Sequence, residues 1–428
     1  MRQPSLRKVA ILGGARIPFC RSNTAYATQS NKDMLTATLS AVVKKYRLQG
    51  ERLGQVAAGA VLKHSRDFNL CRESVLSSGL APETAACDLQ MACGTGLEAT
   101  LLIGNKIALG QIDSGIAGGV DTTSDAPIGV SEGLRKILLE ANRAKTTGDR
   151  LKALLKFRPK DLVPLTPGVA EPRTGLSMGE SCELMVKEWK IPREVQDQLA
   201  YESHIKAAKA YDEGFFSDLV VPFNGVDRDN NLRGDSTLEK LATLKPAFDR
   251  KSGQGTLTAG NSTPLTDGAS AVLLASEDWA KQHNLPVLAW LVDGETSAVD
   301  FVGKKEGLLM APAYAVPRLL ARNGLTLQDF DFYEIHEAFA GQVLCTLKAW
   351  ESEQFCKERL GLPKALGSID RSKLNVKGSS LAVGHPFAAT GGRIVPTLAK
   401  LLHQKGSGRG LISICAAGGQ GVVAILEK

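Results

Sequence analysis

Aromatic residues are scarce in this 428-residue sequence, at 5 %, and its 52 lysines and arginines are spread along the chain rather than gathered. A nucleic-acid surface usually collects basic residues on one face with aromatics among them, so nucleic acid is not an expected partner. The cysteines at 20, 71, 87, 93, 182, 345, 356 and 415 include no C-x-x-C pair. That argues against a zinc site or a thioredoxin-type dithiol, and no metal is expected. No apolar run nears the roughly 20 residues of a membrane span. The lead-in from Met1 to Lys8 reaches the strand-like Val9-Ala10-Ile11-Leu12 too soon for a signal or transit peptide. The expectation is a soluble, cytoplasmic protein with reduced thiols.

What remains is a globular balance: 43 % hydrophobic and 23 % charged residues, enough for a large core without staples. The net charge of +7 is mild and suits a negatively charged small partner, such as a phosphorylated cofactor. The 43 glycines, somewhat above the roughly 7 % usual, predict tight turns or close backbone approaches.

Short apolar runs alternate with helical patterns. Residues 9–12, 56–62, 85–91 and 114–117 read as strands, and 34–48 and 97–109 as helices. From about 126 to 243 the strand signal fades. Two leucine stripes there, 134–138 and 151–155, read as amphipathic helices among many basic residues, and Pro192 opens a long helix to about Asp212. Alternation resumes with strands at 271–275, 287–292, 330–335, 411–414 and 422–426, and helices at 313–322 and 337–350. A faint repeat supports two similar halves. Cys93-Gly94-Thr95-Gly96 opens a helix with Gly118-Gly119 beyond it, and Ala389-Thr390-Gly391-Gly392 opens another with Gly418-Gly419 beyond it.

Four segments carry chemistry. In Gln90-Met91-Ala92-Cys93-Gly94-Thr95-Gly96 an apolar strand ends at a cysteine before a helix. The positive end of a helix dipole lowers a thiol pKa and makes thiolate available, although a buried core cysteine reads the same in isolation. In Gly384-His385-Pro386 a histidine stands in a loop of small residues, where it is either a general base or a solvent-facing or capping side chain. Cys415-Ala416-Ala417-Gly418-Gly419 ends a second strand, with backbone N–H groups free to form an oxyanion hole. His336-Glu337-Ala338-Phe339 places a polar side chain at another strand end. Ligands of α/β sheets bind outside the carboxyl ends of strands, so these segments point to one crevice.

Together, in this order, the four motifs resemble those of the thiolase family. Ala15-Arg16-Ile17-Pro18-Phe19, Ser177-Met178-Gly179-Glu180, Leu244-Lys245-Pro246-Ala247-Phe248 and the run from Thr258 to Ala269 extend the likeness over nearly the whole chain. It is closest to the thiolase (beta) subunits of fatty-acid-oxidation complexes, which also carry histidine where His336 stands and most thiolases carry asparagine. The resemblance implies an α/β thiolase fold: duplicated mixed five-stranded sheets in an αβαβα layering. The halves would be 1–124 (continued by 244–282) and 283–428, with an inserted, mainly helical loop domain at 125–243.

The same resemblance implies an acyltransferase, a 3-ketoacyl-CoA thiolase of β-oxidation working by a ping-pong scheme. The alternative is an acetyl-CoA C-acetyltransferase running towards condensation. His385 would take the Cys93 proton, the sulfur would attack the 3-keto carbon, and Cys415 would protonate the acetyl-CoA enolate. The enolate oxygen would be met by His385 and by a water on His336, the acyl-cysteine oxyanion by the N–H groups of Cys93 and Ala417. Ala259, Ser262 and Thr263 would line a pantetheine loop and Arg233 would meet the nucleotide. Coenzyme A and acyl-CoA are then substrates, and no permanent cofactor is implied. Further implied partners are a second copy, in a homodimer or tetramer, a hydratase/dehydrogenase alpha subunit, and a membrane surface met through 132–160. A decarboxylating condensing enzyme would use two histidines and need no Cys415. A non-catalytic lipid carrier on the same fold should lose at least one of Cys93, His385 and Cys415.

Overall fold

Strand β1 (Val9–Arg16) is buried at all eight positions and β6 (Thr266–Ser276) at all eleven. Strands covered on both faces read as unbroken apolar or small-residue runs. The computed structural model describes residues 6–428, so most of the Met1–Lys8 lead-in lies outside the described residues. The other strands are β2 (Cys20–Arg21), β3 (Gln55–Ala58), β4 (Ala86–Asp88), β5 (Ser114–Asp121), β7 (Ala289–Ala298), β8 (Phe332–Ile335), β9 (Arg409–Ala416) and β10 (Gln420–Glu427). No helix among the described residues is long and apolar enough to cross a membrane.

The strand order β4-β3-β5-β6-β1-β7-β10-β9-β8 contains the repeat. β3 and β5 are parallel, β5 pairs antiparallel with β6, and β6 antiparallel with β1. β8, β9, β10 and β7 repeat that series with the same directions. The fifth position of the first half is β4, beside β3; in the second half it shrinks to one parallel bridge between Tyr333 and Leu374. Residues 9–11 pair with 289–291 and join the halves edge to edge.

Three apolar cores separate the layers. The central one holds Leu97, Ile103 and Ile107 of the helix Thr95–Ala108 against Ile394, Val395 and Leu398 of the helix Thr390–Lys405. The inner faces of both halves close on this pair through Ile11, Val272, Ile414 and Val422. The helix Asn31–Tyr46 covers the outer face of the first half, and the helices Ala311–Asn323 and Ala340–Glu351 that of the second.

Between β5 and β6 lie helices at Glu132–Arg143, Thr147–Leu154, Met178–Glu188, Arg193–Asp212 and Leu238–Ala242, and no named strand. Buried Arg16 pairs with Asp229 at 2.6 Å and fastens this insertion to β1, with Tyr211 and the Phe19 N–H on the same carboxylate. Three expected elements end differently. The strand at 56–62 stops at Ala58, because the Val61 and Leu62 N–H groups turn to the Asp121 carboxylate. The strand at 85–91 shortens to Ala86–Asp88, giving way to the bend at Ala92. The helix expected from 337 starts at Ala340, since the buried Glu337 carboxylate takes hydrogen bonds from Ser203, Asn375 and the Leu381 N–H.

Candidate active site

Ala92 holds φ = 45°, a left-handed conformation costly for a residue with a Cβ. The bend is held from both sides: the Met91 N–H donates to Thr95 Oγ1 at 2.9 Å, and that hydroxyl donates to the Ala92 carbonyl at 2.7 Å. The consequence is that Cys93 sits at the corner between β4 and the helix Thr95–Ala108. Cys93 remains partly exposed and so reachable by a ligand.

His385 Nε2 stands 3.1 Å from Cys93 Sγ, and its Nδ1 meets Thr390 Oγ1 at 2.5 Å. Gly384, at φ = 101°, makes the turn before it; a Cβ there would come 2.7 Å from Thr266. The His385 N–H donates to Thr266 Oγ1, and the Ala388 N–H to Asp121 at the end of β5. The loop is therefore tied to the first half while its side chain faces the first half's cysteine.

His336, fully buried just past β8, places its ring 4.1 Å from that of His385. Its Nδ1 meets Ser380 Oγ at 2.7 Å, and its Nε2 has no hydrogen-bond partner among the described residues. Cys415, in β9 and 1 % exposed, lies close enough to Cys93 for the charge of that sulfur to bear on it. The following turn is fixed through the Gly418 N–H, which donates to Glu171 of the insertion at 2.7 Å. Donor atoms of Cys93, His336 and His385 all lie within 4.8 Å of one another, a set that could hold a soft ion such as zinc. Within it, only the 3.1 Å Cys93–His385 pair stands at the separation that direct proton transfer between sulfur and imidazole needs.

The protonation states correct one expectation. The helix terminus was expected to lower the Cys93 pKa, but burial pushes it up to about 12, and the N–H groups of Ala417 and Cys93 only partly offset this. Burial, then the Arg393 charge, lowers His385 to about 3. His336 falls well below its usual value from burial, then from His385 and Arg393. Burial, then Cys93, raises Cys415 well above the ordinary thiol value. The resting site is thus two neutral thiols and two neutral imidazoles.

The proposed coenzyme A residues are less tightly grouped. Ser262 is buried and bridges to Phe339, just beyond His336, and Thr263 donates to the Ala338 carbonyl, so this stretch adjoins the site. Ser262 Oγ is buried with no partner among the described residues. Ala259 is exposed. Arg233 is also exposed, and its backbone N–H donates to His204 Nδ1. It follows Leu232, which packs against the small apolar cluster that includes Ala382 and Ala389, beside the His385 loop.

Thr390, Ser380, Asp121, Glu171 and Arg393 were not singled out from sequence. Thr390 stands in the Ala389-Thr390-Gly391-Gly392 segment and Ser380 in the run Asn375–Ser380 that leads to Gly384-His385-Pro386, a signal that was available; Glu171 carries none.

An α/β enzyme with a cysteine–imidazole pair beside a second thiol is the class defined by this fold and site. Family models agree: "Thiolase, N-terminal domain" matches residues 9–278 and "Thiolase, C-terminal domain" residues 285–428. A 3-ketoacyl-CoA thiolase of Photorhabdus laumondii is 42 % identical over 426 residues, covering 98 % of this chain and 97 % of that one. Human mitochondrial 3-ketoacyl-CoA thiolase superposes with a TM-score of 0.81 at 28 % identity, over 99 % of this chain and 100 % of that one. The Bacillus anthracis acetyl-CoA acetyltransferase gives 0.80 at 29 %, over 99 % of both chains. The chain belongs to the thiolase family and is an acyltransferase.

Proposed function

We propose that the protein is a 3-ketoacyl-CoA thiolase, cleaving 3-ketoacyl-CoA with coenzyme A into acetyl-CoA and a shortened acyl-CoA. The observation that carries this is the 3.1 Å contact of Cys93 Sγ with His385 Nε2, flanked by Cys415 and His336. His385 takes the Cys93 proton as the sulfur attacks the 3-keto carbon. The C2–C3 bond breaks, its electron pair passing to the acetyl-CoA enolate, and Cys415 gives its proton to C2. A thiol resting fully protonated suits that donation. Coenzyme A then yields its thiol proton to the Cys415 thiolate and attacks the acyl group. Cys93 leaves and recovers its proton from His385.

Two oxyanions form. The N–H groups of Cys93 and Ala417, both acting on the sulfur, suit the one on the acyl-cysteine, while His385 and His336 suit the enolate oxygen. The human mitochondrial 3-ketoacyl-CoA thiolase was also solved in complex with CoA, at a TM-score of 0.81. This supports coenzyme A as the ligand here, with Ser262, Thr263, Ala259 and Arg233 as its nearest candidate contacts. The curated relatives named 3-ketoacyl-CoA thiolase favour the degradative direction, and condensation of acetyl-CoA is the same equilibrium reversed. Thiolysis of 3-ketoacyl-CoA of four carbons and upward, measured beside acetyl-CoA condensation, tests the reading. Turnover in neither assay would end it.

The absence of a membrane-crossing helix among the described residues is compatible with work in the cytoplasm. The helices Glu132–Arg143 and Thr147–Leu154 carry exposed Leu138, Leu139, Leu151 and Leu154 beside Lys136, Arg143, Arg150 and Lys152. Apolar side chains among cations suit peripheral contact with an anionic membrane surface. Sedimentation with anionic vesicles, lost on neutralising four of the cations, is the expected result. Binding only to a hydratase/dehydrogenase subunit, or only to a second copy in a homodimer or tetramer, would reassign the face.

A further inference from the structure

Ser380 and Arg393 play no part in the scheme above, yet both are buried beside it. Arg393 Nη2 donates to Ser380 Oγ at 2.9 Å and to Ser379 Oγ at 3.2 Å. The Glu337 carboxylate supplies counter-charge to this buried guanidinium. Ser380 Oγ, in turn, lies 2.7 Å from His336 Nδ1.

The direction of each hydrogen bond follows from what the groups own. A guanidinium has donors only, so the hydroxyl accepts from Arg393. The hydroxyl has one hydrogen to give, and His336 Nδ1 is its other hydrogen-bond contact among the described residues. If Nδ1 carried a proton instead, the Ser380 hydrogen would be buried without an acceptor, which is costly. Nδ1 therefore accepts, and a neutral imidazole whose Nδ1 accepts carries its proton on Nε2. That is the nitrogen without a partner among the described residues.

We infer that Arg393, acting through Ser380, holds His336 in the Nε2–H tautomer, so that its free nitrogen is a fixed donor for the enolate oxygen and never a second base. Ser380 and Arg393 are positioning residues in this account. His385 must be the opposite tautomer, since receiving the Cys93 proton at Nε2 requires Nδ1–H, which Thr390 Oγ1 can accept. Two adjacent imidazoles thereby divide the work. One presents a lone pair to sulfur, the other a hydrogen to oxygen.

The inference rests on the thiolase reading, but its main test needs no turnover. In enzyme labelled with 15N-histidine, long-range proton–nitrogen correlation reads the tautomer of His336, assigned by its loss in His336→Asn. The wild type should show a protonated Nε2 and a bare Nδ1, and Ser380→Ala should lose that preference. Thiolysis by Ser380→Ala should fall at least about tenfold, a share of the 10²–10³ typical of losing a whole oxyanion donor. Acetyl exchange between acetyl-CoA and free coenzyme A forms no enolate and should be spared. Arg393→Lys, which keeps a donor-only cation, should retain the wild-type tautomer. A proton on Nδ1 in the wild type would overturn the inference, and so would equal losses of exchange and thiolysis in Ser380→Ala. A correct tautomer in an enzyme that cleaves no 3-ketoacyl-CoA would instead sink the function proposed above.

Discussion

Gly96 and Gly391 bring the two central helices together backbone to backbone. A Cβ on Gly96 would lie 2.7 Å from the Gly392 nitrogen, and one on Gly391 would lie 2.7 Å from the Gly96 carbonyl carbon. Both helices start at the site, so this contact sets how near the Cys93 corner comes to the His385 loop. Gly391→Ala should cost roughly 1–3 kcal/mol by overpacking, read from urea midpoints. It should also lower kcat more than a remote substitution of equal cost. Loss of stability with unchanged kcat would show that the helix contact does not set the catalytic geometry.

Glu171 carries a second consequence of tertiary structure. Its carboxylate, 8 % exposed, accepts from the Gly418 N–H in the turn after Cys415. Glu171→Ala should destabilise the protein by about 0.5–1.5 kcal/mol, the net worth of an ordinary hydrogen bond, since the exposed Gly418 can turn its N–H to water. It should slow thiolysis, and Glu171→Gln, which can still accept, should recover most of both. Equal behaviour of the two variants would contradict this role.

The buried histidines predict an acid-sensitive fold. His385 at about 3, His204 at about 4 and His336 well below 6.5 all stay neutral when folded, mainly through burial. Between those values and 6.5 the unfolded chain binds more protons than the native one, so stability rises with pH in that window and falls as pH drops. Each histidine contributes at most roughly 1.4 kcal/mol per pH unit there. Asp121, raised to about 7, and Glu334, raised to about 8, work in the opposite sense because the native state holds their protons longer. His204→Gln should therefore shrink the difference in urea midpoint between pH 7 and pH 5. An unchanged difference would mean that His204 ionises in the native state.

The four motifs were legible because their chemistry-bearing residues stand at strand ends among glycines, where packing alone rarely asks for Cys or His. The duplicated sheet was legible in part. Cys93-Gly-Thr-Gly and Ala389-Thr390-Gly-Gly do open equivalent helices, but a fifth position reduced to the Tyr333–Leu374 bridge leaves no apolar run to read. The protonation states were not legible. A helix start next to Cys93 suggested a lowered pKa, whereas the enclosing side chains, supplied from distant segments, decide it the other way. Glu171 was invisible for the same reason, since it acts on a partner far along the chain, and Ser380, though in the run that leads to His385, gave no sign that its hydroxyl meets His336.

The central claim is a division of labour between Cys93, which must bond to the acyl group, and Cys415, which only moves a proton at C2. Acetyl exchange between acetyl-CoA and labelled coenzyme A separates them, because it needs the acyl-cysteine and no carbanion. Cys93→Ala should lose exchange and thiolysis alike. Cys415→Ala should lose about 10²–10⁴ in thiolysis, the range for a missing general acid or base, while Cys93 is still acetylated and exchange continues. If folded Cys415→Ala loses exchange as completely as Cys93→Ala, the division of labour is wrong.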